Sequence, residues 1–259
     1  MISVAIRTKN QAVALQFALK NLTTRYAQDI GEILVLDNRS TDDSEAITKH
    51  YGARYLSIDR FSYGGSANYV AQQAKYAIVV MFSAHSFPVS HDFFKVIVNA
   101  FNTNPNLAGV RCLHQPNDYK NYILGVTAKD NPNTSGLIFS GSAFRKSVWE
   151  KHPFRDDVAT FEDKEWTVRV LKAGYDIVLA PAIFSYHIKR TKKQLFFRFK
   201  NDVMGNYQLW HQDVTFLSAL KGLFGALWQV LKNAFNDVGY AFLRFFFLLK
   251  FIFNKPKQF

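Results

Sequence analysis

Short apolar runs alternate with segments of helical spacing through the first third of the chain, and this alternation limits the fold more than any other feature. Strands are predicted at residues 2–6, 33–36, 53–58 and 78–82, and helices at 11–22, from about 41, and at 68–74. Alternation of this kind produces a mainly parallel sheet with helices on both faces. The run 78–82 is almost continuously apolar, as in a strand buried on both sides. The predicted class is α/β.

The alternation continues more loosely beyond the first third. Strands are predicted at 109–113, 138–144 and 175–180, the last stopped by Pro181, and helices at 92–101, 146–152 and 162–173. Residues 115–137 contain two prolines and several Asn and Asp residues, and they are predicted to form an irregular loop over a site.

The last quarter of the chain has a different composition. Residues 1–188 carry a net charge of +3, whereas residues 189–259 carry +9 and contain 13 of the 25 phenylalanines. This mixture favours an anionic membrane surface over nucleic acid as a partner. Helices are predicted at 216–231 and 238–253. The second would be about 24 Å long, short of the roughly 30 Å hydrocarbon core. We expect a basic, aromatic-rich helical tail over 191–259 that lies on a membrane; packing on a second subunit is the alternative.

Cysteine usage and the N-terminus indicate a reducing compartment. The single cysteine, Cys112, cannot form an internal disulfide and is predicted to be a core thiol. The first residues lack the basic start and long apolar run of a secretory signal. We expect a cytoplasmic location, or the cytoplasmic face of a membrane.

Asp37 and Asn38 stand directly after the strand at 33–36. Open α/β sheets bind nucleotides at the carboxyl ends of their strands, so both residues are candidates for nucleotide binding. The alternative is an Asx-type turn with no ligand. Neither GxGxxG nor GxxxxGK[ST] occurs in the chain, which argues against dinucleotide-binding and P-loop proteins.

Several segments occur in an order that resembles the inverting family 2 glycosyltransferases of GT-A fold, over residues 1 to about 190. They are ISVAIRTKN, EILVLDNRSTDDS, FSYGGSAN, FSAHSFP, FEDKEW and a later His187. The resemblance implies a GT-A catalytic domain over 1–190, with a Rossmann-like, mainly parallel sheet flanked by helices, followed by C-terminal amphipathic helices. It also implies a nucleotide-sugar donor.

Within that resemblance, the donor nucleotide is expected to contact Arg7, Lys9, Asp37, Asn38 and Ser83. Lys9 replaces the aromatic residue that often stacks on the base in this family, so Arg7 or Lys9 can instead meet phosphate.

The largest departure from the family is at Ser83-Ala84-His85, where a DxD-like cluster usually binds a divalent cation. His85 is expected either to ligate Mn²⁺ or Mg²⁺ or to donate directly to the diphosphate, although such hard ions prefer oxygen ligands. A structural histidine at a strand end is the alternative. His187 resembles the histidine that completes the metal or diphosphate site in many members.

Asp163, in FEDKEW, matches the catalytic base of the family. Direct displacement requires a carboxylate that accepts the proton of the attacking hydroxyl. Glu162 is expected to position the acceptor or the base, and Trp166 to stack on an acceptor sugar. The alternative is that these acids only favour a helix N-terminus, and the two interpretations are compatible.

The resulting hypothesis is transfer of a hexose or deoxyhexose from a nucleotide-sugar to a lipid-linked glycan in surface polysaccharide biosynthesis. The enzyme would be attached peripherally to the cytoplasmic face of the inner membrane, with a homo-oligomer as the alternative use of the tail. A competing hypothesis is a membrane-associated scaffold that binds nucleotide-sugars without catalysis, with SAH as a decayed DxD.

Overall fold

The computed structural model describes residues 1–186 and 188–258. The chain divides into two units, Met1–Trp210 and His211–Phe259. The boundary expected between residues 190 and 191 therefore falls inside the first unit, because the helix that ends at Trp210 belongs to that unit.

The described part of the first unit contains an eight-stranded sheet. Its strands are β1 (Ser3–Thr8), β2 (Glu32–Asp37), β3 (Arg54–Ser57), β4 (Ile78–Ser83), β5 (Ser86–Pro88), β6 (Leu107–Leu113), β7 (Ser142–Arg145) and β8 (Asp176–Tyr186). Their order across the sheet is β3-β2-β1-β4-β7-β6-β8-β5. β1 to β4 are parallel, and β6 is parallel to β8. β7 is antiparallel to both neighbours, as β5 is to β8. The predicted mainly parallel α/β sheet is confirmed.

Helices connect the strands along the chain, and two more follow the last strand. They are α1 (Ala12–Arg25), α2 (Ser44–His50), α3 (Tyr63–Gln73), α4 (Phe93–Thr103), α5 (Pro116–Ile123), α6 (Pro132–Ser135), α7 (Lys146–Lys151), α8 (Glu162–Lys172), α9 (Lys192–Trp210) and α10 (Phe216–Phe253). The two helices predicted within the last 45 residues are one continuous helix, α10, because nothing in the residues between them breaks helical hydrogen bonding. No residue of α10 is buried. Among the described residues, no helix combines the length and apolar character needed to cross a membrane.

The core lies on both faces of the sheet, as predicted for β4. Alternate β4 residues Val80 and Phe82 belong to the cluster that includes Leu19 of α1. Val79 and Met81 belong to the opposite cluster, which contains residues of α3 and α8. Side chains of successive strand residues point to opposite faces, so a strand that is covered twice must be apolar throughout.

β8 does not stop at Pro181, contrary to the prediction. The pairing with β6 shifts register between Ala180 and Ile183. Proline cannot donate a ladder hydrogen bond but is tolerated at such an irregularity, and Pro181 is exposed there. The strand therefore continues to Tyr186 and carries its last residues to the edge where the site forms.

The prediction of an irregular loop at 115–137 is also wrong in part, since this segment contains α5 and α6. Each helix has a proline in its first turn, a position where the missing N–H is not needed. Asp118 and Gln115 form a capping box at the start of α5. The prolines begin helices here rather than excluding them.

Candidate active site

The predicted nucleotide-binding residues lie at neighbouring strand ends. β1 pairs with β2 on one side and β4 on the other, which brings Arg7, Asp37 and Ser83 to the same edge of the sheet. Asn38 follows β2 directly, and Lys9 is exposed just beyond β1. This is the edge at which open α/β sheets bind their ligands.

Asp37 is fully buried beneath its turn. Its carboxylate accepts the Ser40 backbone N–H at 2.8 Å, the Ser40 hydroxyl, and the Tyr55 hydroxyl at 2.9 Å. Burial, together with the Asp37 carboxylate, raises the pKa of Tyr55 to about 12. These bonds support the Asx-type turn considered above. In this arrangement Asp37 shapes the turn, and the half-buried Asn38 lies beside it.

Arg7 connects three elements at the centre of the edge. Its Nη1 donates to the Ser66 hydroxyl at 3.1 Å, and its Nη2 donates to the Phe139 carbonyl at 3.2 Å. Its Nη1 also lies 3.9 Å from Oε1 of Glu162. The guanidinium carbon lies 5.8 Å from the centre of the Tyr63 ring. Arg7 therefore places a positive charge between the start of α3 and the acidic start of α8.

Asp163 lies in the first turn of α8. The helix follows Phe161, whose φ of 67° is left-handed. Oδ2 of Asp163 accepts the Phe139 N–H at 3.0 Å, and Oδ1 accepts the Lys164 N–H at 2.7 Å. Backbone donors thus orient both carboxylate oxygens. Each oxygen retains a lone pair, so the group can still accept a proton.

The two acids at the start of α8 both have raised pKa values. Burial raises the pKa of Asp163 although N–H bonds from Phe139 and Lys164 oppose the change. Burial and then the neighbouring Asp163 charge raise the pKa of Glu162, against the effect of Arg7. A carboxylate that binds protons more tightly than usual is suited to act as a general base.

Trp166 does not fit its predicted role. Its side chain is fully buried, and its ring lies 5.0 Å from that of Phe154 and 6.3 Å from that of Phe144. Its indole N–H donates to the His152 carbonyl at 2.6 Å. A ring enclosed in this way offers no face to an acceptor sugar, so Trp166 is a core residue.

His85 follows β4, in the position of the usual DxD cluster. Its Nδ1 lies 3.0 Å from the amide oxygen of Gln11, whereas its Nε2 is buried without a partner among the described residues. An amide oxygen only accepts, so Nδ1 carries the proton and Nε2 presents a lone pair. Burial, with the charges of Arg190 and Arg7, lowers the pKa of His85 to about 4. A neutral imidazole with a free lone pair on Nε2 fits cation ligation.

His187, the second predicted ligand, lies outside the described residues. Across residues 1–186 and 188–258, no group of three or more His, Cys, Asp or Glu side chains is arranged to hold a metal ion.

Tyr186 is a site residue that the sequence patterns did not single out. Its ring lies 4.9 Å from the His85 ring, and its hydroxyl accepts a hydrogen bond from Nη2 of Arg190 at 3.0 Å. This bond holds the positively charged guanidinium of Arg190 near the His85 ring. The available signal was the position of Tyr186 at the end of the last strand.

The glycine pair in FSYGGSAN has a steric explanation. A Cβ on Gly64 would lie 1.9 Å from the Arg155 carbonyl oxygen, and one on Gly65 would lie 2.9 Å from Oδ1 of Asp156. Asp156 also contacts the hydroxyl of Ser62, the residue that caps α3. The glycines therefore allow the start of α3 to approach residues 155–156, a contact that the sequence did not reveal.

A cavity of about 440 Å³ opens beside this contact. It is lined by Ile58, Arg60, Phe61, Ser62, Gly65, Ser66, Tyr69 and Asp156. Two of its walls belong to the strand edge, because Ser66 is bonded to Arg7 and the Ile58 N–H donates to the Asp37 carbonyl at 3.0 Å.

Solved structures with the same fold include two glycosyltransferases. One is the mannosyltransferase PcManGT from Pyrobaculum calidifontis, in complex with GDP-Man and Mn²⁺ (TM-score 0.65, 20% identity, 83% of this chain and 65% of that one). The other is glucosyl-3-phosphoglycerate synthase from Mycobacterium tuberculosis (TM-score 0.62, 17% identity, 82% of this chain and 81% of that one). The chain thus spans slightly less than two thirds of the mannosyltransferase.

Sequence comparison gives the same result. The glycosyltransferase AglE of Haloferax volcanii is 24% identical over 242 residues, which are 88% of this chain and 79% of AglE. The sequence model of Glycosyl transferase family 2 matches residues 3–152, more than half of the chain. With the strand-end site and GT-A fold described above, this match establishes that the chain belongs to glycosyl transferase family 2.

Proposed function

We propose that this glycosyltransferase moves one hexosyl or deoxyhexosyl group from a nucleotide-sugar to a hydroxyl of a lipid-linked glycan, with inversion, in surface polysaccharide biosynthesis. The observation that carries the proposal is the carboxylate of Asp163. It is oriented by two backbone N–H groups, has a raised pKa, and lies at the sheet edge that holds the Arg7 charge.

The proposed reaction is a single displacement. The acceptor oxygen bonds to the anomeric carbon while the bond from that carbon to the donor diphosphate oxygen breaks. Asp163 takes the proton of the acceptor hydroxyl, and the nucleoside diphosphate leaves with the bonding electron pair. Attack from the side opposite the leaving group inverts the anomeric configuration. Glu162 and Arg7 set the charge around the base, since both lie beside it.

The donor nucleotide is assigned to the strand edge and the adjoining cavity. Asn38 presents an amide that can meet the base or ribose, while Arg7 and the exposed Lys9 can meet phosphate. The cavity supports this assignment because its walls touch both the Asp37 turn and Arg7.

A divalent cation fits the site through Nε2 of His85, which is buried and has no partner among residues 1–186 and 188–258. His85 would hold it together with His187, which lies outside the described residues, and Mn²⁺ accepts imidazole ligands more readily than Mg²⁺. When bound, the cation would neutralise charge on the departing diphosphate.

The tail supports the assignment of a lipid-linked acceptor at the cytoplasmic face of the inner membrane. Along α10, large apolar side chains are exposed, among them Phe224, Trp228 and Phe246. Basic residues occur on the same helix, and residues 189–259 carry a net charge of +9. Exposed aromatic residues combined with lysine and arginine are typical of helices that lie in a membrane interface. A homo-oligomeric contact is the competing use of this surface.

The discriminating experiment combines donor binding with turnover. Nucleoside diphosphates and nucleotide-sugars, each with and without Mn²⁺ or Mg²⁺, would be ranked by thermal stabilisation; a ligand at a hundred times its Kd adds about 2.7 kcal/mol. Asp163→Asn should bind the selected donor as the wild type does but lower kcat by about 10²- to 10⁴-fold. Asp92→Asn, at the start of α4, is the matched control, because the Asp92 side chain makes no capping bond.

Either of two results would reject the proposal. If no nucleotide stabilises the folded protein, the donor assignment fails. If Asp163→Asn turns over at the wild-type rate, another group is the base. Normal cellular function in the Asp163→Asn strain, with donor binding retained, would instead favour the non-catalytic scaffold.

A further inference from the structure

The residue that precedes α8 breaks two rules for the start of a helix. Helices are usually capped by Ser, Thr, Asp or Asn in extended backbone, because a side-chain oxygen then accepts a free backbone N–H. Phe161 has no such oxygen, and its φ of 67° is left-handed, a conformation that a bulky residue rarely adopts. Such a conformation persists only where the surrounding structure holds it. Contacts other than a cap must therefore fix the turn from which Glu162 and Asp163 project.

The C-terminal half of α9 supplies contacts of this kind. Of the residues described in α9, Gly205 alone is buried, and a Cβ added there would lie 2.6 Å from Cδ2 of Phe161 and 2.7 Å from Cγ2 of Thr160. The backbone of α9 therefore lies directly against the Phe161 ring. Trp210, the last residue of α9, places its ring 5.2 Å from the same ring. Two residues of α9 thus contact Phe161.

Further contacts attach this part of α9 to the chain on either side of Phe161. Before it, the side-chain oxygen of Gln208 accepts the Ala159 N–H at 2.9 Å. After it, the Lys164 ammonium lies 4.7 Å from the centre of the Phe161 ring and 5.3 Å from that of Trp210. Cations are attracted to the faces of aromatic rings. α9 is therefore bound both to the turn before the candidate base and to the residue after it.

The turn at Phe161 determines where the carboxylate of Asp163 lies. Asp163 follows Phe161 by two residues, and the Phe161 carbonyl accepts the Glu165 N–H at 2.9 Å, in the first turn of α8. Oδ2 of Asp163 accepts the N–H of Phe139, which comes from a distant part of the chain. If Phe161 changed its conformation, α8 would start in another direction and this hydrogen bond would lengthen. A displacement of about 1 Å in a reacting group can lower a rate about 10²-fold.

We propose that α9 positions the base of the reaction through Phe161, with Gly205 and Trp210 as the positioning residues. The inference rests on the proposed function and adds residues that act through the base rather than on the substrate. A helix that served stability alone would bury an apolar stripe. The buried residue of α9 is instead a glycine that lies against the turn carrying the base.

Two substitutions disturb the contact in different ways. Gly205→Ala inserts a Cβ between α9 and the Phe161 ring, and Trp210→Ala removes a ring from the contact. Tyr207→Ala is the matched control, because Tyr207 is an aromatic residue of the same helix and is 60% exposed. The full-length chain would be assayed for release of nucleoside diphosphate with water as the acceptor, using the nucleotide-sugar that gives the largest thermal stabilisation. Asp163→Asn gives the rate without the base.

We expect Gly205→Ala and Trp210→Ala each to lower kcat by about 10- to 100-fold. KM for the donor should change by less than about twofold, because the donor contacts are not disturbed. Tyr207→Ala should match the wild type. Phe161→Gly supplies a second test, since glycine adopts a φ of 67° without strain but offers no ring to α9. In that background Trp210→Ala should lower kcat no further, because residues that act through one another are not additive.

Wild-type kcat in both α9 variants would overturn the proposal. So would a loss confined to KM, or an undiminished effect of Trp210→Ala in the Phe161→Gly background. Trp210→Ala adds no atom, so it decides the question if Gly205→Ala does not fold. Failure of the proposed function has a different signature: Asp163→Asn would turn over at the wild-type rate, or no nucleotide-sugar would stabilise the protein.

Discussion

Asp163 and Trp166 lie within one turn of the same helix, but Asp163 lies at the site and Trp166 lies in the core. Asp163 faces the sheet edge, where the Phe139 N–H orients it. Trp166 and Val170 are buried four residues apart, the spacing of a helix face that packs on a core. That spacing was readable in the sequence, and it favours the core interpretation of Trp166 over a sugar contact.

Glu162 should limit stability at high pH. Its pKa is raised in the folded state, so the folded protein binds a proton that the unfolded chain releases, and stability falls as pH rises from the ordinary glutamate range through the raised pKa. Glu162→Gln removes this cost. We expect it to raise the free energy of unfolding by roughly 1–2 kcal/mol at about pH 8 and by much less at about pH 5, as measured by denaturant titration.

Glu45→Gln is the control for this prediction, because Glu45 pairs with Lys49 on the exposed surface of α2. Surface pairs of this kind contribute little, and the control should change stability by less than about 0.5 kcal/mol. A Glu162→Gln protein that is equally stabilised at both pH values, or destabilised at the higher one, would contradict the raised pKa.

At the level of elements, short segments with specific turn chemistry place the site. The long, strongly patterned strands and helices were predictable, because burial on one or both faces imposes a period on the sequence. The sequence pattern predicts no helix at α5 although Pro116 begins it, because proline also occurs in loops and only its first-turn position favours a helix. The approach of α3 to residues 155–156 was not predictable, because the partners are about 90 residues apart and only the closed fold brings them together.

Gly64→Ala should disrupt that approach. The added Cβ would lie 1.9 Å from the Arg155 carbonyl oxygen, a backbone atom that cannot turn aside. We expect a loss of roughly 1–3 kcal/mol of stability together with weaker nucleotide binding, because the cavity wall would move. Thermal unfolding with and without the donor measures both effects.

The same substitution at Gly222 in α10 is the control, since no atom of the described residues that could clash lies within 4 Å of a Cβ placed there. Alanine has the higher helix propensity, so Gly222→Ala should leave unfolding of the first unit unchanged and leave α10 at least as helical. Wild-type stability and nucleotide affinity in Gly64→Ala would show that the contact with Arg155 is not required.

At the level of the whole molecule, the uneven charge distribution predicts that the protein binds anionic membranes. It should cosediment with vesicles that contain anionic phosphatidylglycerol and much less with neutral phosphatidylcholine, with binding that weakens as salt rises. Lys221 and Lys232 are exposed residues of α10, a helix with no buried residue. Changing both to Gln should weaken binding about tenfold or more, since each basic residue near an anionic surface contributes about 1 kcal/mol.

Lys20→Gln with Lys75→Gln removes the same charge from exposed positions of the first unit and should have little effect. Equal binding to both kinds of vesicle would contradict the electrostatic argument. Concentration-dependent self-association that excludes lipid binding would favour subunit packing of α10 instead.

The sequence by itself determined the class of fold, because burial patterns are local and repeat with a fixed period. The resemblance to family 2 glycosyltransferases supplied Asp163 as the candidate base, which stays a prediction. It also identified His85 as the departure from a DxD site. Only the tertiary structure decided that Asp37 supports its turn and that Trp166 is a core residue. Those outcomes depend on contacts between side chains that are far apart in the sequence, and local sequence patterns do not reveal such contacts.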